Sequence, residues 1–540
     1  MKVYEGAAQA LIEAGVDRLF GVMGDANMRM LADFMDRRPG AYVAAAHEAG
    51  AVTMADGYSR LAGRVGVASL THGPGLTNAM TALTNAVRAH SQLVVLTGST
   101  PPQREHIQEF DLRALAQAAG ADYRRTSRPE FAVDDLLNAM RSATLRRQPV
   151  VLDIPLDQAH APLTEYGHQA GPGPWAVERT RPAEDRLDEA LGVLLSADRP
   201  LILAGRGAVL SGARDELTAL SEALAAPLAT TVLARSYFAG HPLDLGIFGA
   251  QAHSLATKYI AQADCVLVLG AGLNMHTTAS GDLVRGKALV QCDIDPGVAG
   301  SRPPTQVSVT ADVRTFAQSL LAAVEQVGER PERSWTERAR AELAEFDPAA
   351  DFDDQGDDEF VDIRTAMMTL DRLLPADRAL VTDAGHFMTA PWRHLGCTSG
   401  AFAHSGSFGA IGLGLGTATG AAFAQPGRLT VAVVGDGGLM MSLQELAVSV
   451  AHRLPLLIVV ANDGCYSAEY RKLTEYGQNP EHSLLAWPSF AAVARAFGAE
   501  GEVVRSIADL GALKARLQDI QTPLLLDLRT DPAKDCRNYK

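Results

Sequence analysis

Short apolar runs rich in Val, Ile and Leu alternate with segments of helical period along almost the whole chain. In the first third the runs read as strands at "DRLFGV", "AYVAAA", "VGVASL", "QLVVLTG" and "PVVLDIP". The middle third gives "RPLILAGRG", "APLATTV", "DCVLVLGAG" and "ALVQCDIDP", and the last third "RALVTDAG", "RLTVAVVGDG", "LPLLIVVANDG" and "PLLLDLRTD". Strands separated by helices in this rhythm imply parallel sheets covered by helices. Two breaks interrupt the pattern. The Pro/Gly-rich "GHQAGPGPWAVERTRPAED" reads as a linker. The acidic "EFDPAADFDDQGDDEF" has a spacing close to that of a calcium loop, but Gln355 and Asp362 fall where better ligands are usual, so it reads as a solvated acidic linker. The expected architecture is α/β, with three doubly wound parallel-sheet domains over 1–165, 183–330 and 358–540.

The totals narrow the function classes. A chain of 540 residues exceeds one hydrophobic core. The net charge of −15, with no basic run, argues against nucleic acid or an anionic membrane surface as partner. The five cysteines (Cys265, Cys292, Cys397, Cys465 and Cys536) are scattered, with no C-x-x-C pair, so neither a disulfide framework nor a zinc site is expected and a reducing cytoplasm fits. The start, "MKVYEGAAQALIEAGVDRLF", lacks the pattern of a secretory leader. The longest weakly polar stretch, "GAIGLGLGTATGAAFA", is too short and too glycine-rich to span a membrane.

The densest chemistry lies in "GDGGLMMSLQELAVSVAHRLPLLIVVANDG". It reads as a strand end, a glycine turn, one helix, and the next strand. Asp436 and Asn462 then fall at the carboxyl ends of neighbouring strands, where doubly wound sheets bind ligands. A carboxylate, an amide oxygen and a backbone carbonyl such as that of Gly464 are hard donors suited to Mg²⁺ together with phosphate oxygens. Gly435, Gly437 and Gly438 would allow close backbone approach, and the helix start beyond them favours an anion. A tight turn and a helix cap would account for either residue alone. The pair at this spacing reads as a metal clamp for a diphosphate.

G-D-G, one βα unit, and then an asparagine at a strand end resembles the signature of thiamine-diphosphate enzymes of the pyruvate decarboxylase and acetohydroxyacid synthase superfamily. The family's usual asparagine pair is Ala461-Asn462 here, and the second position is the ligand. "HEAGAVTMADGYSR" resembles the segment whose glutamate, here Glu48, hydrogen-bonds N1′ of the cofactor aminopyrimidine. Alone, Glu48 would be a first-turn charge facing the helix dipole. By the resemblance it is the carboxyl that keeps N1′ protonated, which a buried carboxyl of raised pKa can do. "FGVMGDANM", with Met23 in place of the usual Pro, and "THGPGLTNAMTAL" resemble two further family segments. In "HIQEFDL" the resemblance puts Gln108 near the reacting carbon. In "VTDAGHFM" it puts Ala384, Gly385 and His386 against the diphosphate. In "GAIGLGLGTATGA" it makes Gly409 the carbonyl donor to the 4′-amino group and Ile411 the wedge between the two rings. Without it, Ile411 reads as core and the glycines as a flexible turn.

The resemblance implies a pyrimidine-binding first domain, a central domain and a diphosphate-binding third domain. It further implies thiamine diphosphate and Mg²⁺ as cofactors, and a site shared between two subunits of a dimer or tetramer. The reaction implied is decarboxylation of a 2-oxo acid, with release of an aldehyde or transfer to an acceptor to give an acyloin or acetohydroxy acid. FAD is not expected, because "GAGLNMHTT" stands where the flavin branch carries R-F-D-D-R. Glu469, His72 and His106 are candidates for the substrate wall, with a solvent-facing helix residue the plainer reading of Glu469. The adjacent His-His pair of simple pyruvate decarboxylases is missing. The rivals are an oxalyl-CoA-type decarboxylase, which needs a nucleotide in the middle domain, and a catalytically silent thiamine-diphosphate-binding regulator.

Overall fold

The protein is described here by a computed structural model covering 1–540 except residues 102–104, 165, 167–174, 176, 177, 302, 329–332, 538 and 540. The Pro/Gly-rich linker of the sequence falls largely outside the described residues.

Eighteen strands among the described residues form three six-stranded sheets, and every pairing between them is parallel. The first holds β1 (Leu19–Gly21), β2 (Tyr42–Ala44), β3 (Gly66–Ser69), β4 (Leu93–Thr97), β5 (Asp122–Arg125) and β6 (Val150–Asp153), in the order β2-β1-β3-β4-β6-β5. The second holds β7 (Pro200–Ala204), β8 (Leu228–Thr230), β9 (Asp244–Ile247), β10 (Cys265–Leu269), β11 (Ala288–Asp293) and β12 (Val307–Thr310), in the order β12-β11-β10-β7-β8-β9. The third holds β13 (Arg378–Thr382), β14 (Phe402–His404), β15 (Leu429–Gly435), β16 (Leu456–Asn462), β17 (Glu500–Val504) and β18 (Leu524–Arg529), in the order β14-β13-β15-β16-β18-β17. The first and third sheets thus share one topology, and the second has the order of dinucleotide-binding folds. Inner strands such as β16 are buried at every residue, with apolar clusters on both faces of each sheet.

The first and third domains meet through two helices, Glu48–Ala62 and Gly414–Ala424. Their backbones touch. A Cβ on Gly57 would stand 2.0 Å from the Thr417 carbonyl oxygen, one on Gly420 1.9 Å from that of Met54, and one on Gly416 2.1 Å from Thr53 Oγ1. Of the glycines of "GLGLGTATGA", Gly414, Gly416 and Gly420 therefore belong to a helix, while Gly412 (φ 89°) lies in the turn before it.

The single helix expected over "LMMSLQELAVSVAHRL" is two, Asp436–Ser442 and Leu446–Ala451, joined by a 3₁₀ turn at Leu443–Glu445. The break carries Glu445 toward the first domain, where its Oε2 accepts the Ala46 N–H at 3.2 Å. The acidic break is solvated at most of its acids, as its sequence implies, and is anchored by Asp351 within it and Asp362 just beyond it. Asp351 is buried, and its carboxylate accepts the Ser254 N–H at 2.9 Å. Asp362 is buried against Arg364 at 2.6 Å and caps the helix Ile363–Leu373.

Gly57→Ala should destabilise the chain by about 1–3 kcal/mol through overpacking at backbone. Gly192→Ala, in a helix with nothing within 4 Å of the added methyl, should be neutral or stabilising by up to about 1 kcal/mol. Denaturant titration of both variants checks the contrast, and equal effects would mean that the helix contact is loose.

Candidate active site

Parallel pairing sets the site. Gly435 on β15 stands opposite Ala461 on β16, so Asp436 and Asn462 lie one step further along two neighbouring strands. Both are buried. Asp436 Oδ1 accepts the Gly437 N–H at 2.7 Å, and its Oδ2 accepts the Gly464 N–H at 2.9 Å. Gly464 takes the left-handed conformation (φ 66°) that lets the chain turn back over the strand ends. Its carbonyl already accepts the Leu485 N–H at 2.7 Å, which leaves one lone pair for a ligand. The Asn462 Nδ2 donates to Asp527 Oδ1 at 2.6 Å, while Asn462 Oδ1 is buried with no partner among the described residues.

The charge around this point is unbalanced. Burial, and after it the neighbouring Asp463, push the Asp436 carboxyl up to about 7. Burial also raises Asp463, against hydrogen bonds from Ser467 and Cys465. One buried and one half-buried carboxyl and an orphaned amide oxygen at neighbouring strand ends form a donor set that suits a hard divalent cation.

Asp436 lines a cleft that is open at its mouth, while Gly464, Gly409 and the fully buried Asn462 are not among the residues of its wall. Ala384, Gly385, His386, Ile411, Gly435, Asp436, Gly437 and Gly438 all line it, and exposed Glu469 stands on its wall from the helix Ser467–Glu475. Asp383, which follows β13, ties these parts together. Its Oδ1 accepts the Ala384 N–H at 2.9 Å and the Ser405 hydroxyl at 2.8 Å, and its Oδ2 accepts the Gly412 N–H at 2.8 Å. That fixes the loop carrying Gly409 and Ile411, in which Gly409 has φ 79° and open space where a Cβ would stand. His386 Nε2 pairs with Asp535 Oδ1 at 2.7 Å, and burial holds the imidazole below its ordinary pKa. The glycine turn differs from its sequence reading. The space left by Gly437 is filled by the Tyr466 ring at 2.6 Å, and that by Gly438 by Asp383 Oδ2 at 2.7 Å. These two glycines let the protein's own side chains approach.

Among the described residues, the cleft wall comes only from residues between 355 and 536. Glu48 is not part of it. It begins the helix Glu48–Ala62, is half-buried rather than buried, and its Oε2 accepts the Asn78 Nδ2 at 3.0 Å. His72 and His106, distant in sequence, bring their rings to 5.2 Å, with Gln108 beside His72. Burial, then the facing His106, hold His72 below its ordinary pKa. The chain therefore assembles two groups of candidate residues, one in each end domain.

Sequence reasoning missed three acids that organise these groups: Asp383, Asp527 and Glu445. Glu445 is 1% exposed, its Oε1 has no partner among the described residues, and a Cβ on Gly50 would stand 2.1 Å from that oxygen. Only the Q-E-L run beside the glycine turn signalled it, and the reading of one continuous helix hid it.

Comparison with known proteins identifies the domains. Models of thiamine pyrophosphate enzymes match in order: the N-terminal TPP binding domain over residues 1–118, the central domain over 187–320 and the C-terminal TPP binding domain over 383–528. A sulfoacetaldehyde acetyltransferase of Alcaligenes xylosoxydans xylosoxydans is 30% identical over 96% of this chain and 90% of its own. The chain belongs to the thiamine pyrophosphate enzymes. A probable acetolactate synthase large subunit of Methanocaldococcus jannaschii is 28% identical over 99% of this chain and 93% of its own. The fold matches that of a thiamine diphosphate-dependent 4-hydroxybenzoylformate decarboxylase of Rhodococcus jostii, with a TM-score of 0.82, 23% identity and coverage of 98% and 99%. The protein is thus a thiamine-pyrophosphate-dependent enzyme of the decarboxylase and carboligase kind, and its described residues contain no helix long and apolar enough to cross a membrane.

Glu445 gives this thiamine pyrophosphate enzyme a pH signature. Burial raises its carboxyl from 4.5 to about 7. Between these values the folded chain holds a proton that the unfolded chain has lost, so the stability from this group is full below 4.5 and declines as pH rises toward 7. Glu445→Gln should remove that decline. Its stability relative to wild type should rise from pH 5 to pH 8 in denaturant titrations, and a constant difference would place Glu445 in a solvated setting.

Proposed function

We propose that the enzyme decarboxylates a 2-oxo acid with thiamine diphosphate and Mg²⁺, and either releases the aldehyde or joins the fragment to a second carbonyl compound. The observation that carries this reading is the buried, unpartnered Asn462 Oδ1 at the end of the strand that neighbours the one leading into Asp436. Thiamine diphosphate, when bound, supplies the electron sink for the carbon left when CO₂ departs. Asp436, Asn462 and the free lone pair of the Gly464 carbonyl are the metal ligands. Ala384, Gly385, His386, Gly435, Gly437 and Gly438 border the diphosphate. Ile411 would pack against the two rings, and the Gly409 carbonyl would accept from the 4′-amino group. Glu48 holds the proton at N1′. His72, His106 and Gln108 face the substrate carboxylate and carbonyl, and Glu469 is placed for proton transfer at the cleft mouth. A screen of CO₂ release over 2-oxo acids, with and without aldehyde acceptors, tests the reaction. Absence of turnover across the panel would refute it.

Glu48 and Asp436 belong to different copies in this reading. Support comes from the cleft wall, which takes no residue from the first domain, and from exposed apolar side chains near both groups: Ile107 and Phe110 on one, Phe408 and Met441 on the other. The oxalyl-CoA alternative calls for a nucleotide at the switch point of the central sheet. There the Gly205 N–H bonds the Leu269 carbonyl at 2.8 Å and the Gly207 N–H bonds that of Gly270 at 3.0 Å, backbone against backbone. The same contact argues against a flavin.

Glu48→Gln should keep thiamine diphosphate affinity within a few-fold while turnover falls about 10²–10⁴-fold. Calorimetry and CO₂ release read the two quantities, and near wild-type turnover would remove Glu48 from the mechanism. Asp436→Ala should abolish the part of thiamine diphosphate affinity that depends on Mg²⁺. Co-expressed with Glu48→Gln, it should recover about a quarter of wild-type activity, because mixed dimers keep one intact site. No recovery would mean that each site is built from one chain.

A further inference from the structure

An asparagine amide serves as a metal ligand in only one of its two orientations. Its oxygen must face the cation and its nitrogen must face away. The Asn462 side chain is short and buried, so something fixed must decide which end faces the strand-end acids.

Asp527 is in the position to decide. It lies on β18, paired with Val460, so it shares a face of the sheet with Asn462, two residues further along β16. Its side chain is 1% exposed. Its Oδ1 accepts the Asn462 Nδ2 at 2.6 Å, and its Oδ2 accepts the Phe490 backbone N–H at 3.2 Å, at the start of the helix Phe490–Ala496. Both oxygens thus meet donors fixed by the fold. Turning the amide over would set its oxygen 2.6 Å from an acceptor and leave its NH₂ where the unpartnered oxygen now stands. A hydrogen-bond network is what assigns an amide, and here it leaves one arrangement. The consequence is the unpartnered Asn462 Oδ1.

We propose that Asp527 is a positioning residue for the metal site: it holds the Asn462 amide with its oxygen toward the divalent cation and denies the site an N–H donor. This rests on the reading of Asp436, Asn462 and Gly464 as metal ligands. Asp527 touches neither cation nor substrate in it. Partners of this kind commonly change metal affinity by about 10–100-fold when removed.

The test is calorimetric titration of Mg²⁺ into the full-length, metal-free protein with saturating thiamine diphosphate. In Asp527→Asn, the new amide must present its NH₂ either to Asn462 Nδ2 or to the Phe490 N–H, so one donor faces another. Mg²⁺ affinity should fall about 10–100-fold. Asn462→Asp alone sets two carboxyls face to face and should also bind weakly. The exchange, Asn462→Asp with Asp527→Asn, restores a donor–acceptor pair with the roles reversed and an oxygen at both ends of side chain 462. It should recover Mg²⁺ affinity to within about tenfold of wild type, a coupling that independent sites do not show. Thermal melts without Mg²⁺ and cofactor record any loss of fold in each variant. Wild-type affinity in Asp527→Asn, or an exchange variant no better than Asp527→Asn alone, would overturn the positioning role. Asp436→Ala in the same titration separates the two levels: if it also leaves Mg²⁺ affinity unchanged, the metal reading itself fails.

Discussion

The contact between the helices Glu48–Ala62 and Gly414–Ala424 is the constraint on which the rest depends. Backbone meets backbone at Gly57 and Gly420, and the Thr53 hydroxyl fills the space at Gly416, so none of the three accepts a side chain without movement. Each glycine in a helix interior costs about 0.5–1 kcal/mol relative to alanine. The chain accepts that cost because the contact joins the first and third sheets. It also fixes two functional segments by their position: Glu48 is the first residue of one helix, and Gly409 to Ile411 lie just ahead of the other. Glu445 belongs to the same seam, since its carboxylate fills the space left by Gly50 and holds the Ala46 N–H two residues before Glu48.

Buried acids elsewhere show why the strand-end group is distinctive. Asp362 faces the Arg364 guanidinium, and Asp383 takes two N–H groups and a hydroxyl. Asp527 takes an amide and a backbone N–H. Each is buried and each is satisfied, as burial of a polar group demands. Asp436 and Asp463 sit side by side with backbone, hydroxyl and thiol donors, and an amide oxygen at the neighbouring strand end meets nothing. Arg529 and His386 act on them only at a distance, with no ion pair to either acid among the described residues. Removing charge from water without a counterion is costly, so the arrangement is stable only with protons or a metal in it.

The sequence made the inner strands legible and concealed the edges. The five strands without an apolar signal, β5, β9, β12, β14 and β17, all lie at the margins of their sheets. β5 reads "DYRR" and has no buried residue, so period and propensity have nothing to report there. The Asp436 and Asn462 pair was readable because one βα unit converts sequence spacing into adjacency. Their organisers were not: Asp527 acts across 65 positions and Glu445 across 399, distances over which only the folded sheet sets a partner. The broken helix at Leu443–Glu445 was hidden for the same reason, because the contact that favours the break lies in another domain.

The central domain shows how far topology is from function. Its strand order is that of dinucleotide-binding folds, yet the turn that would cradle a pyrophosphate is closed by backbone hydrogen bonds between Gly205, Gly207 and the end of β10. Its arginines bridge to the neighbouring domains. Arg206 donates to the Ala89 carbonyl in the first domain. Arg235, buried, donates to the carbonyls of Pro391, Trp392 and Leu395 in the third, and Arg393 returns to those of Gln251 and Ala252. A guanidinium suits this work because its fork of donors meets several carbonyls at once, here those at the end of the helix Thr389–His394. That helix follows directly on Ala384, Gly385 and His386. Holding its far end from the central domain therefore fixes the near end, where the cleft begins.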